Sequence, residues 1–523
     1  MGEWMTAPPV EYEPLVFQRA VEKRNVLPLA AALVIAMSMT AGIVLRFWEL
    51  GKASLWFDEG YTAWVISLPV KELVRAIHVD TAPPLYYLLL HGWVKIFGRS
   101  EFAMRMLSAI FSSLAIFVVW RSAVRLFRHP LATATAVALF SLSYVQIAYA
   151  HEARSYALVS LLAAVDLYLV LQLVDRTTWG ITAAAITAFT LSLYTVNMMV
   201  FYLAALCAAW LVFPGETSLR HRLKSIAIVC GVSGVLFLPW LPIMLEQSRA
   251  IRGNFWASPP DRRLVLDVLT AITGVDDRAM LPMQHGATAL ITTLLLSTCA
   301  ACMIWPGIAR KGAALVCFAM GPIAFAYAYS WIRQPIFMER AFIASTVAVP
   351  MIFALLINRA PVRLRWVGVM LTAGLALLGL RSLQWNMLGE HSEPWREACL
   401  FAKSLESNDR RTLTVFVANE GETLFDYYAR NGEYGLHDDR TGLPGSFFDA
   451  DPPHTMRRVH GDADLNSLRQ MITSGRFDAV TLIESHAYFG DRLRRAQAYL
   501  TSVAKSDITR QFDELLVYHI QIR

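Results

Sequence analysis

The chain has 523 residues, 56% of them hydrophobic and only 17% charged, with a mean hydropathy of +0.43. A soluble protein carries roughly 25% charged residues, and uncharged apolar runs of about 18 residues or more recur here, so the composition excludes an ordinary soluble domain and predicts a polytopic helical membrane protein. The formal net charge of +6 does not indicate nucleic acid, because much of the excess is Arg in short loops, where it sets orientation.

In chain order, residues 1–26 read as a polar tail with Arg19, Lys23 and Arg24. The first apolar run, 27–45, is too long for the core of a cleavable signal and reads as a span. A polar, aromatic segment follows over 46–101. Within it, 82–93 is apolar but too short to cross a bilayer, so it is expected to lie in the interface. Further spans are predicted over 102–126, 131–150 and 155–174, then two within 179–213 with a turn near Asn197, then 225–245, 286–309, 312–332, 341–358 and 366–388. That makes about eleven.

Alternating sides groups Arg125 and Arg128, Arg220, Arg222 and Lys224, Arg310 and Lys311, and Arg359, Arg363 and Arg365 with the N-terminus. The positive-inside rule makes that side cytoplasmic. The loops holding Asp58, 151–154 and 333–340 are then outside, with the segment 246–285, whose Arg249, Arg252, Arg262 and Arg263 suit anionic ligands. Residues 389–523 change character. Runs at 413–417, 479–483 and 515–522 read as strands, and 397–405, 424–429, 465–473 and 492–501 as helices, which predicts a small extracytoplasmic α/β domain placed to meet the acceptor. It shows no phosphate-binding glycine pattern. Five of the six cysteines lie in apolar runs, so Cys299 and Cys302, despite their CxxC spacing, read as packing residues rather than a redox pair.

The chemistry is expected where charge collects on the outer face: Asp58, Glu59, His78, Asp80, His151, Glu152, Arg154, Arg333, Glu339 and Arg340. Adjacent carboxylates at a membrane interface, among Trp48, Trp56, Phe57, Tyr61 and Trp64, are costly to desolvate and call for a function. A carboxylate can act as general base on a hydroxyl, and an Arg can hold a phosphate bidentately. Together they point to an enzyme or transporter acting on a phosphate-bearing substrate. Asp166, in mid-span, reads as a packed polar contact.

Several segments also occur in a recognisable order: Asp58-Glu59, then His78-Val-Asp80 leading into Pro83-Pro84-Leu85-Tyr86-Tyr87, then Ser100 to Arg105, Tyr149 to Leu158, and Phe337 to Ala341. Over about residues 27–390 the chain resembles bacterial GT-C glycosyltransferases related to protein O-mannosyltransferases and the lipid A aminoarabinose transferase. The resemblance implies a catalytic domain over 27–388 and a sugar donor carried on a polyprenyl phosphate. It implies Asp58 as base, with Glu59 in the same acidic signature, and a Pro-Pro-Leu-Tyr-Tyr helix packed under the site. It places Asp80, Tyr86, Glu152, Arg154 and Tyr156 around substrate, and Arg340 near the donor phosphate, with Arg154 or a divalent metal ion as the second electrostatic partner. Ala82 stands where the family often has His, and Ala341 where it usually has Tyr. The expected reaction is inverting transfer of the sugar to a hydroxyl or phosphate of an envelope acceptor (glycolipid, polysaccharide, lipid A or protein) at the bacterial cytoplasmic membrane. The rival is a transporter or flippase for a lipid-linked anion, for which charges near the midplane and inverted repeats would be the mark. Neither is visible in the sequence.

Overall fold

The computed structural model describes residues 29–80, 82–250, 259–280, 283–388, 393–406, 410–454, 461–485, 491, 493–513 and 515–522. The expected N-terminal tail and Arg252 lie outside the described residues. The chain is a multi-pass helical membrane protein that ends in a small sheet domain.

Helix α1 (Leu29–Phe47) is followed by three short helices, α2 (Phe57–Val65), α3 (Val70–His78) and α4 (Leu85–Phe97). The bundle continues with α5 (Glu101–Leu126), α6 (Pro130–Ser141), α7 (Tyr144–Ala148), α8 (Tyr156–Leu173), α9 (Trp179–Leu193), α10 (Met199–Val212), α11 (Leu219–Phe237) and α12 (Leu241–Ala250). It closes with α13 (Arg262–Ala271), α14 (Gln284–Ile304), α15 (Ala309–Ile332), α16 (Ser345–Arg359) and α17 (Val362–Leu388). Among the described residues, six helices are long and apolar enough to cross a membrane, and up to eight spans result if each of two bent pairs counts as one. Three shorter apolar helices, α9, α10 and α16, stand where the other expected spans fall.

The run at 131–150 is broken into α6 and α7, bent by 48°. At the break, the buried Arg46 guanidinium donates to the carbonyl of Ser141 at 2.8 Å and to Ser112 Oγ at 2.7 Å. The run at 225–245 is bent by 74° between α11 and α12, where Pro239 removes a backbone donor and ends the helix. Helix α11 also starts earlier than the charge pattern predicts, at Leu219. Arg222 is therefore buried in its second turn. There it donates to the carbonyls of Trp210 at 3.2 Å, Thr217 at 3.0 Å and Gly215 at 3.1 Å, so it satisfies the end of α10 rather than sitting free in a loop. The other basic loops do meet at this end of the bundle: Lys311 donates to the Leu126 carbonyl at 2.7 Å, and Arg365 contacts His129 at 2.9 Å. Cys299 and Cys302 are buried and unbridged, and Asp166 accepts from Ser192 Oγ at 2.6 Å.

The C-terminal region contains α18 (Trp395–Ser404), β1 (Thr412–Val417), α19 (Gly421–Ala429), β2 (Arg440–Leu443), α20 (Asn466–Thr473), β3 (Ala479–Glu484), α21 (Arg495–Val503), β4 (Ser506–Phe512) and β5 (Leu515–Gln521). The sheet order is β2-β1-β3-β5-β4. Strand β1 is parallel to β2 and β3, while β5 is antiparallel to β3 and β4. The sequence pattern missed β2, which is short and polar, and β4, whose residues are almost all exposed and show no apolar face. The domain does not stand apart from the bundle. Trp395, Phe416, Leu424 and Phe447 share one apolar cluster with Trp64, Ile77, Tyr86 and Leu90 of the segment between α1 and α5.

Candidate active site

Helix α2 begins one residue before the acidic pair. Its N-cap is Trp56, whose backbone N–H donates to Glu59 Oε2 at 3.3 Å, a reciprocal cap that sets the first turn. The two carboxylates then diverge. Asp58 keeps 24% of its side chain exposed, and Glu59 none. Glu59 is paired with the buried Arg105 of α5, whose Nε donates to Oε1 at 2.9 Å, and it also accepts from the backbone N–H of Ala153 at 2.7 Å. Arg105 further donates to the carbonyls of Ala53 and Ser54, both at 2.8 Å. The expectation that Glu59 shares the chemistry is thus corrected: every face of its carboxylate is occupied, and it ties the acidic turn to α5 and to the loop before α8.

Asp58 Oδ2 lies 3.0 Å from Arg340 Nη1 and 3.7 Å from Arg154 Nη2. Arg340 comes from the short turn before α16, and Arg154 from the segment before α8. Arg154 Nη1 also reaches Tyr87 OH at 3.1 Å, and Tyr87 OH donates to Asp80 Oδ2 at 3.1 Å. The result is a chain of polar groups, Asp80–Tyr87–Arg154–Asp58–Arg340, drawn from four separate segments. A pocket of about 210 Å³ opens on it, with Phe57, Tyr61, Val79 and, from the C-terminal domain, Glu420 and His454 on its walls.

Tyr86 is not among these residues. It is 1% exposed and bonds Ser108 Oγ at 2.8 Å. Successive helical residues point about 100° apart, so Tyr87, not Tyr86, faces Arg154, and Tyr86, expected beside the substrate, is turned into the packing. Tyr156 packs on Tyr149 with ring centroids 4.8 Å apart, close to Arg340 but outside the pocket wall. His151 turns away to the Leu45 carbonyl at 2.9 Å, His78 pairs with Glu246 at 2.8 Å, and Arg333 is exposed.

A second cavity, of about 300 Å³, lies beside Glu152 and Glu339 and is walled by Asp267, Asp276, Asp277, Arg263 and Arg278. Arg278 is held by Asp276 at 2.9 Å. Burial, with the nearby charge of Glu59, pushes the Glu152 carboxyl up to about 8, and its Oε2 has no hydrogen-bond partner among the described residues. Glu152 therefore faces the second cavity, while Arg154, two residues on, faces the first. Among the described residues no three His, Cys, Asp or Glu side chains converge as a metal site. The cations facing Asp58 are guanidinium groups, so the arrangement does not fit the expected divalent ion, and no step below passes through one.

Four residues of this geometry escaped the sequence reading. Arg105 and Tyr87 lie inside quoted segments but carry no mark separating them from their neighbours, and Tyr61 reads as one more interfacial aromatic. Glu420 lies some 360 residues from Asp58, in a region without a catalytic motif.

Comparison with known proteins places this geometry. Residues 81–243 match the family described as dolichyl-phosphate-mannose-protein mannosyltransferase. The structure of ArnT from Cupriavidus metallidurans in the apo state superposes with a TM-score of 0.59 at 14% identity, covering 94% of this chain and 98% of that one. The same protein bound to undecaprenyl phosphate gives 0.55 at 12% identity, covering 93% and 97%. At these identities the likeness establishes the fold. No curated protein sequence matches the chain.

Proposed function

We propose that this chain, a glycosyltransferase of the GT-C class by its matched segment and its fold, moves a sugar from a polyprenyl-phosphate donor to a hydroxyl or phosphate of an envelope acceptor, glycolipid, polysaccharide, lipid A or protein. The observation that carries this reading is one half-open carboxylate, Asp58, between the guanidiniums of Arg340 and Arg154 in a pocket. A transporter has no need of that arrangement. The undecaprenyl phosphate bound by the structural relative supplies the class of lipid.

In the proposed reaction the donor phosphate draws Arg340, with Arg154, away from Asp58, because a planar fork pairs with phosphate through two hydrogen bonds. Asp58 then accepts the proton of the acceptor O–H as that oxygen attacks the anomeric carbon. The bond from the anomeric carbon to the phosphate oxygen breaks on the opposite face, so the configuration inverts. The electron pair stays on the polyprenyl phosphate, whose added charge meets the arginines. Tyr87 and Asp80 hold Arg154 in register. The meeting of the basic loops at the far end of the bundle supports a site on the extracytoplasmic side of a bacterial cytoplasmic membrane. The test is to load purified protein with a panel of polyprenyl-phosphate sugars, with membrane extract as acceptor, and to follow donor consumption. Consumption of at least one donor, abolished by Asp58→Asn, is expected. Transport of labelled lipid without bond cleavage would overturn the reading.

A further inference from the structure

Glu420 enters the pocket from the turn that leaves the C-terminal end of β1, the central parallel strand, which is where open α/β sheets place their ligands. Ala418 in that turn has φ +65°, a left-handed conformation that a non-glycine residue holds only against its surroundings. Helix α19, which follows, seats on α2 so closely that a Cβ on Gly60 would come within 2.4 Å of Leu424. The contact is locked on both flanks. Tyr428 OH bonds the Leu55 backbone N–H at 2.6 Å, and Arg396 pairs with Glu101 at 2.7 Å. Two residues after Asp58, the domain thus has no room to slide, and Glu420 is held over the pocket.

Glu420 is 8% exposed and lines the pocket, where its carboxyl accepts a hydrogen bond from its own backbone N–H. A carboxyl held at a pocket wall by that local contact keeps hydrogen-bonding capacity for a ligand. Around it stand the carboxyls of Asp58 and Asp80, the rings of Phe57 and Tyr61 and the imidazole of His454, while the guanidinium of Arg154 on the wall is engaged by Asp58 and Tyr87, and that of Arg340 by Asp58. Such a wall repels an anionic acceptor and suits a neutral, hydroxyl-rich one, with aromatic faces for its apolar side. We propose that Glu420 binds the acceptor in this pocket and that the acceptor group is a neutral sugar hydroxyl rather than a phosphate, with the C-terminal domain building one wall of the active site. This rests on the glycosyl-transfer reading. Burial and the charge of Asp58 push Glu420 up to about 8, so at neutral pH it carries a proton and can both donate and accept a hydrogen bond, as a sugar hydroxyl does.

The test uses the full chain in lipid nanodiscs, with methyl glucoside, methyl mannoside and glucose 1-phosphate as soluble probes and undecaprenyl phosphate as the donor-side probe. Binding of at least one methyl glycoside, and not of glucose 1-phosphate, is expected. Glu420→Leu, similar in volume but without hydrogen bonds, should weaken that binding at least about tenfold, as for a lost hydrogen bond to a buried polar site. Glu420→Gln, which also donates and accepts, should stay within about threefold of the native protein. Both variants should bind undecaprenyl phosphate like the native protein, which would show that the fold and the donor side are intact. Native-like glycoside binding by Glu420→Leu, no glycoside binding by the native protein, or equal binding of glucose 1-phosphate would each overturn the inference. So would competition between the glycoside and a polyprenyl-phosphate sugar, which would assign the pocket to the donor's sugar. Failure of the native protein to bind undecaprenyl phosphate would instead sink the proposed donor and leave the Glu420 assignment standing.

Discussion

The two cavities beside Asp58 are walled by similar residue types and treat them differently. In the smaller one the central carboxylate, Asp58, is balanced by two arginines from distant segments. In the larger one the acids outnumber the arginines, Arg278 is taken up by Asp276, and Glu152 is left to burial, which pushes it up to about 8. A paired acid can stay ionised and act as a base, whereas an unpaired buried one takes up a proton and becomes a neutral donor. Glu152 and Arg154 face different cavities although one residue separates them. Proximity in sequence therefore says little about which chamber a charge serves.

The largest expected break concerns the residue that ties α2 to α5 and to the loop before α8. Glu59→Gln leaves the Arg105 guanidinium buried without its partner, a loss of roughly 3–5 kcal/mol. It should show as a lower melting temperature and poor expression, with catalysis in the surviving fraction little changed. A stable variant with lost turnover would return Glu59 to the chemistry. Asp58→Asn should do the reverse: it should keep folding and donor binding while turnover falls at least ~10²-fold. Near-native turnover would remove Asp58 as the base.

Arg340→Lys sharpens the contrast by keeping the charge while losing the fork. Donor affinity or transfer should drop by about tenfold, with Arg340→Ala worse and Glu339→Gln near native, because Glu339 faces the larger cavity. If Lys serves as well as Arg, the phosphate assignment passes to Arg154. A smaller effect separates the neighbouring tyrosines. Tyr87→Phe removes the hydroxyl that links Arg154 to Asp80 through two hydrogen bonds and should slow transfer about fivefold, the worth of about 1 kcal/mol. Tyr86→Phe should leave the rate unchanged, and the opposite order would mean that α4 is rotated.

The last prediction reads the larger cavity by pH. With its carboxyl at about 8 in the fold and 4.5 as its ordinary value, Glu152 binds a proton more tightly folded than unfolded. Stability attributable to it is then full below about pH 4.5, falls as the pH rises, and levels off above about 8. Melting temperatures of native protein and Glu152→Gln, taken across that window, should diverge in this sense. A constant difference would show Glu152 paired and ionised.

Much of the fold was legible because a membrane permits few solutions. Lipid requires every backbone group to be satisfied within the chain, so apolar length alone marked the helices, down to the turn between α9 and α10 near Asn197. Short apolar runs marked β1, β3 and β5, which are buried on both faces, but not β4, which is mostly exposed. Of the candidate site, the sequence by itself determined that Asp58, Asp80, Arg154 and Arg340 stand outside the apolar runs, since charges are expelled from spans to their ends. Only the tertiary structure decided which acid faces a pocket and which is buried in an ion pair, because Asp58 and Glu59 are chemically alike and differ only in the helical direction of their side chains. It also decided that Tyr87 rather than Tyr86 reaches Arg154, and that Glu420 sits over Asp58. Those outcomes depend on how α2 packs against α5 and α19, contacts between segments up to some 360 residues apart, and no local pattern records them.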